Sequence, residues 1–456
     1  MLYCLAEKVR HAAPATNLVI EVIPMRPNSR AVLLVNVIVI GVILTVAPGA
    51  WAASKYKVLY AFKGGTDGTF PSGALVFDAT GNLYGTTVNG GSSGTCLYAQ
   101  GTGCGIVFEL SPAQGGEWKE SVLYRLQGGS DGGNPNGSLI FDTAGNLYGT
   151  TAQGGEGISF GCGTIFQLSP GSAVWGESLV RTFCAAGAND GYFPRAGLVQ
   201  DAVGNLYGTT ESGGADLGGV AFEFTPSSGG WTENVLHSFC LVGNCSRAGA
   251  QPVAGLTVDA AGNVYGTTID GGQVTFGCFG GFPPGCGLVF KLAPHSGGGW
   301  TEGTPHHFSG PDGAGPASSL TFDNQGNLYG TTTYDGAFGF GTIFKLTPNS
   351  HGHWTRSILY NFRGGASGGT FNSGVVFDAA GNLYGAGAGS ACCGVIYRLT
   401  PGKNGRWTYT ALHTFSGGQD GGEPSGSLVL DNRGNLYGTA GIGGAHASGA
   451  VFEVTP

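Results

Sequence analysis

Asp142-Thr143-Ala144-Gly145-Asn146-Leu147-Tyr148-Gly149-Thr150-Thr151 is the stretch on which the reading of this chain turns. An aspartate caps its own turn through its side chain, two ordinary residues follow in helical geometry, and a glycine takes the positive φ that closes a hairpin. The turn joins two short strands, Gly137 to Phe141 and Asn146 to Thr151. Asp-x-x-Gly-Asn recurs at Asp78, Asp142, Asp201, Asp259, Asp323, Asp378 and Asp431, spaced 53 to 64 residues apart, with valine in place of leucine once, at Val264. Such spacing is that of one supersecondary unit repeated seven times.

Working outward from the hairpin, a variable glycine-rich loop leads to a third strand, Gly163 to Leu168 in the second unit. Its counterparts begin at Gly105, Gly219, Gly287, Gly341, Gly394 and Gly449, and each ends just before a proline, which offers no donor and stops pairing. A fourth strand runs from Trp175 to Phe183, with counterparts starting at Trp118, Trp231, Trp300, Trp354 and Trp407. Four antiparallel strands per unit predict an all-β fold, a seven-bladed β-propeller. The seventh unit stops at Pro456 with its fourth strand missing, and Lys57 to Phe62 stands alone before the first unit. Pairing the two completes the seventh blade and removes an open edge.

Glycine supplies 89 of 456 residues with no collagen-like period, so the chain is turn-rich. With 41% hydrophobic residues it still carries enough apolar surface for a core, which excludes disorder. A net charge of −8 and the lack of any basic run longer than two residues leave nucleic acid without its electrostatic footprint.

Residues 1–53 read as a leader. The apolar run Ala31 to Ala47 follows Arg26 and Arg30 and precedes small residues at Ala50 and Ala52, the three parts of a secretory signal peptide over about residues 25–52. Met25 sits directly before the basic flank, which makes residues 1–24 an upstream start assignment. An uncleaved membrane anchor is the alternative, because the run approaches the ~20 residues a span needs. Residues 54–456 then form the single propeller domain, expected as a monomer in the periplasm or outside the cell.

Chain direction puts two loop sets on one face: the link from each fourth strand into the next blade, and the loop between second and third strands. The first set carries Asp67, Asp131, Asp190, Asp312 and Asp420, each followed by glycine and reading Gly-Gly-x-Asp-Gly-x-x-Pro in the clearest copies; the second carries pairs such as Gly90-Gly91 and Gly213-Gly214. Turn formation explains the aspartates, and calcium, which takes carboxylate and carbonyl oxygens, is the functional alternative. Entries to the innermost strands read Ser72-Gly73, Asn136-Gly137, Arg195-Ala196, Ala254-Gly255, Ser318-Ser319, Ser373-Gly374 and Ser425-Gly426. Asn136 and Arg195 are the polar groups that depart from the repeat there, and join the five aspartates as ligand-binding candidates. His237, His307 and His413 share one place on the outer strand with Tyr60, Tyr124, Arg181 and Tyr360, a half-exposed site that accepts any of these side chains. Tyr84 and its six equivalents read as packing between blades, with sugar stacking the alternative.

Ten cysteines follow the leader, an even number that favours disulfides in an exported protein over metal sites. Proximity pairs Cys96 with Cys104, Cys278 with Cys286 and Cys240 with Cys245. Cys162 and Cys184 meet at the start of the third and the end of the fourth strand of one blade. Cys392-Cys393 is either a vicinal bridge or reduced.

The motif Asp-x-x-Gly-Asn-Leu-Tyr-Gly-Thr-Thr, with the Gly-Gly, Gly-Thr-Ile-Phe-x-Leu-x-Pro and Trp segments after it, resembles the GloVer tandem repeat of bacterial exported proteins of the choice-of-anchor type. The resemblance covers residues 55–456. It implies an exported propeller and no catalytic residue, since that family has no established activity; this chain departs from it in carrying no sorting tail after its seventh unit. The half-repeat is also similar to units of periplasmic sensor-kinase propellers and of gluconolactonase-type enzymes. Two functions follow as expectations. One is a non-catalytic scaffold that binds a glycan, a peptide or an envelope protein. The other is a lactonase-like or lyase-type enzyme, which needs a metal held by carboxylates from the innermost strands; the strand entries carry none.

Overall fold

In the computed structural model the described residues are 54–91, 96, 103–155, 161–172, 174–184, 188–241, 248–272, 278, 285–365, 368–369, 373–389 and 393–456. The leader and its cleavage site lie outside them. Seven blades, each of four antiparallel strands, make up the body of Lys55–Pro456, and in six of them the strands run outward in chain order. In the second blade the strands are Ile140–Phe141, Leu147–Thr151, Thr164–Ser169 and Gly176–Thr182. The seventh blade takes its fourth strand from the other end of the domain: Lys55–Ala61 pairs antiparallel with Ala450–Thr455, Lys55 opposite Thr455 and Ala61 opposite Ala450.

Packing within a blade turns on the Tyr-Gly pair of the repeat. A Cβ on Gly149 would lie 2.4 Å from Cζ of Phe166 and 2.8 Å from Leu139, so the missing side chain is the space the third-strand phenylalanine fills. Gly85, Gly208, Gly266, Gly330 and Gly438 make the same room for Phe108, Phe222, Phe290, Phe344 and Phe452, all fully buried. Tyr84 and its equivalents turn the other way, into the next blade. The Tyr84 ring meets the edge of Phe141 at 5.0 Å and of Trp175 at 6.3 Å, and all seven tyrosines are buried, the packing role expected of them. What the spacing did not disclose is the hydroxyl: each of these tyrosines donates to the aspartate that opens its own hairpin, at 2.9 to 3.2 Å.

The first threonine after Tyr-Gly clamps neighbouring blades. Thr86, Thr150, Thr209, Thr267, Thr331 and Thr439 each donate to a carbonyl at the entry of the next innermost strand, at 2.8 to 3.3 Å, and Thr439 reaches Gly73 across the point of closure. The sixth unit has Ala386 in this place. Disulfides join Cys96 to Cys104, Cys162 to Cys184 and Cys278 to Cys286, the pairs expected from spacing and blade geometry. Cys245 and Cys392 lie outside the described residues, and the expectations for their partners with them.

Candidate functional site

The two loop sets share one face and are bonded to each other. Gly91 N–H donates to Gly65 carbonyl and Gly155 N–H to Gly129 carbonyl, both at 2.8 Å, and later blades repeat the contact. Beyond these bonds six of the seven links enter their blades through a residue and a proline; the link into the sixth blade has no proline. The prolines Pro71, Pro135, Pro194, Pro252, Pro316 and Pro424 lie on the glycine that opens the third strand of the blade before, where a Cβ would fall 2.3 to 2.8 Å from the ring.

The residue ahead of each proline is Phe70, Asn134, Phe193, Gln251, Gly315 or Glu423, and all six have φ between 52° and 63°. A left-handed backbone is costly for any of these but glycine, on the order of 1–3 kcal/mol, and persists only where the surroundings dictate it. Here the preceding blade dictates it. The N–H of each donates to the carbonyl just before the third-strand glycine, at 2.7 to 3.0 Å, the acceptors being Ser448, Cys104, Cys162, Gly218, Cys286 and Cys393. One backbone arrangement therefore presents five side chains of four kinds, phenylalanine twice, asparagine, glutamine and glutamate, with glycine at the sixth place.

Asn136 and Arg195 meet here. A cavity of about 230 Å³ between the first, second and third blades is lined by Val88, Asn134, Asn136, Ala152, Gln153, Phe193 and Arg195. Arg195 forms an ion pair with Glu211 through Nε, which neutralises the charge while leaving the side chain 45% exposed. Asn134 donates its amide to Val88 carbonyl at 2.9 Å and to the Asn89 side chain at 3.1 Å, leaving its own buried amide oxygen without a donor. Phe193 supplies the apolar wall and is met edge-on by Tyr192 at 5.0 Å. Sequence reasoning found Asn136 and Arg195 but missed Asn134, Gln153 and Phe193. The signal was present: the residue before the recurring proline changes chemistry from unit to unit.

The same two residues border the narrow axial channel, about 110 Å³, whose walls are otherwise serine, glycine, alanine and Val253. Val253 and Ala317 occupy the entry position one residue earlier than spacing suggested for the fourth and fifth units. Backbones meet closely at the channel: a Cβ on Gly137 would lie 2.6 Å from Ala196 and one on Gly426 2.0 Å from Gly73 carbonyl. Among the described residues no group of three or more His, Cys, Asp or Glu could hold a metal ion.

The five loop aspartates are not gathered with Asn136 and Arg195. They sit at the outer seams between blades, where protein donors occupy their carboxylates. Asp67 accepts from Tyr60 hydroxyl at 2.8 Å and Lys63 N–H at 2.6 Å; Asp131 accepts from Tyr124 hydroxyl at 3.1 Å and Gln127 N–H at 2.9 Å. Asp190 binds Arg181 at 2.6 Å, Asp312 binds His306 and Arg356 at 2.8 Å each, and Asp420 binds His413 at 3.1 Å. Each aspartate thus ties the link that carries it to the outer strand just before it, the turn-forming role, and stands apart from the axial mouth. The register also moves one histidine: His306, opposite Val289, holds the outer-strand place shared by Tyr124 and His413, and His307 is one residue further on.

Two stretches of the chain, residues 40–279 and 278–456, match the profile of the Gloeobacter/Verrucomicrobia repeat. No curated protein matches the sequence. Among solved structures it is similar to a putative oxidoreductase (glucose dehydrogenase) from Thermus thermophilus, at 15% identity and a TM-score of 0.42 over 88% of this chain and 100% of that one. It is also similar to the periplasmic gluconolactonase of Pseudomonas aeruginosa, at 14% identity and a TM-score of 0.47 over 77% of this chain and 86% of that one.

Proposed function

Because this chain belongs to the Gloeobacter/Verrucomicrobia repeat family, and its repeats hold one backbone while varying the side chains around the axis, we propose that it is a non-catalytic binding scaffold. The observation that carries this reading is the row of six left-handed residues, alike in backbone and of five residue types, on a face where neighbouring described loops are hydrogen-bonded to each other. Loops held by a stiff frame are where propellers place recognition. The ligand is a glycan. Three amides, which both donate and accept, a charge-neutral Arg195–Glu211 pair and the Phe193 ring suit the hydroxyls and CH faces of a sugar better than an ion. Three disulfides and the leader support export to an oxidising compartment.

The test is a glycan array probed with the full chain and with an Asn136→Ala, Arg195→Ala double variant. Binding to a neutral glycan that falls about tenfold or more in the variant, at unchanged thermal stability, supports the reading. A glycan bound equally by both proteins, or no glycan bound by the wild type, sinks it.

A further inference from the structure

A second cavity on the loop face repeats the first with different chemistry. It lies between the fourth and fifth blades, measures about 230 Å³ and is lined by Val253, Asp270, Ala314, Gly315, Ala317 and Tyr334 among others. Asp270 and Tyr334 each stand five residues after the repeat tyrosine of their unit, the place of Gln153 in the first cavity. Val253 and Ala317 stand where Asn136 and Arg195 stand, so the amides and the guanidinium are replaced by apolar groups, a carboxylate and a phenol.

The Asp270 backbone is fixed. It pairs with Ala250 in a short two-stranded ladder, and its carbonyl accepts from Thr268 hydroxyl at 3.0 Å. Its carboxylate accepts no hydrogen bond and forms no ion pair among the described residues, unlike the loop aspartates and the hairpin aspartates, each of whose carboxylates accepts at least two hydrogen bonds. Burial alone raises its pKa to about 6, and no neighbouring charge contributes. A half-buried carboxylate without a partner is expensive to keep ionised, and a cation entering the cavity removes that cost. Tyr334 is 49% exposed, and its ring passes over Gly315, where a Cβ would lie 3.2 Å from the ring edge. An exposed aromatic ring and a carboxylate lining one cavity of about 230 Å³ can together hold an ammonium and the CH face next to it.

We propose that this cavity binds the ammonium group of an amino sugar, with the Asp270 carboxylate taking the charge and the Tyr334 ring lying against the sugar. The sugar half of this assignment rests on the glycan reading of the loop face; the ammonium half rests on Asp270 and Tyr334 alone.

Calorimetry on the full chain tests it with glucosamine, N-acetylglucosamine, glucose and N-α-acetyl-lysine methylamide. Glucosamine binds at pH 7.5, while N-acetylglucosamine, which lacks the charge, does not bind at this cavity. Lowering the pH to 5 weakens glucosamine about tenfold, because about a tenth of the Asp270 carboxyl is then ionised. Asp270→Asn, which keeps the shape, abolishes glucosamine binding; Tyr334→Ala weakens it; Asn136→Ala with Arg195→Ala leaves it intact. In the Asn136→Ala, Arg195→Ala background, where the first cavity no longer contributes, equal binding of glucosamine and N-acetylglucosamine, retention of glucosamine on adding Asp270→Asn, or binding of the lysine compound without glucosamine overturns the proposal. Loss of neutral-glycan binding only in the Asn136, Arg195 variant separates the outcome at the first cavity from that at the second.

Discussion

The smallest unit with a measurable consequence is the hairpin aspartate. Asp142 takes hydrogen bonds from the N–H groups of Ala144 and Asn146, the Asn146 amide and the Tyr148 hydroxyl. Burial pushes its carboxyl up, but these bonds outweigh that and hold it below the ordinary aspartate value; Asp78, Asp259, Asp323, Asp378 and Asp431 are held down the same way. A depressed folded-state pKa gives stability that is fully present above the unfolded value near ~4 and is lost as pH falls through the folded one. The stability these six carboxylates contribute should therefore be constant from pH 8 to 5 and be lost as the pH falls below about 4, seen as a steep acid limb in the thermal midpoint. Asp142→Asn should cost about 1 kcal/mol at pH 7 in urea melts and leave a shallower acid limb. The turn was legible because its residue types are dictated by φ. The tyrosine bond was not: six residues separate donor from acceptor, and only the blade's pleat brings them together.

At the level of strands, the seams between outer strands read as bland surface in the sequence and prove to be organised. A side chain two residues past the fourth-strand tryptophan reaches back to the blade before: Glu233 to Arg181 at 2.6 Å, Glu302 to His237 at 3.7 Å, Arg356 to Asp312 at 2.8 Å. Tyr409 stacks on Tyr360 at 4.7 Å, and Tyr56 on His413 at 3.8 Å. Each seam solves the same problem with different residues, so no single-residue pattern could announce it. One of them is poorly matched. Glu120 faces Asp67 across the closing seam, and burial together with that neighbouring carboxylate raises its pKa to about 7. A raised folded-state pKa makes ionisation destabilising once pH climbs from the unfolded value past the folded one. Glu120→Gln should raise the thermal midpoint at pH 8, by on the order of 1 kcal/mol or less because half the side chain meets water, and change nothing at pH 4. An equal shift at both pH values refutes this account of the seam.

For the whole molecule, repeat counting reached the architecture: seven units, four strands each, and a strand from the front of the domain completing the last sheet. It was readable because glycine, aspartate and proline mark turns by backbone rules that do not depend on tertiary context. The axial mouth was only half readable. Arg195 and Asn136 stood out as departures from the repeat, whereas Phe193 and Asn134 were marked in the sequence only as the changing residue before a recurring proline, a signal that gains its meaning from their shared backbone angles. The closing strand carries Leu59 and leads into Phe62, both buried. Deleting residues 55–61 should lower stability by at least ~3 kcal/mol and expose the Ala450–Thr455 edge, seen as an earlier urea midpoint and as dimers or larger species by size-exclusion chromatography. An unchanged midpoint and a monomeric profile refute the closure as a source of stability.

The clamp on the residue before each proline separates two jobs that most binding loops combine. Since the preceding blade grips the main chain there, a side chain can be exchanged in one sector without shifting the anchor of its neighbours. Selectivity can then change sector by sector, and the face is a ready-made display for six independently randomised positions.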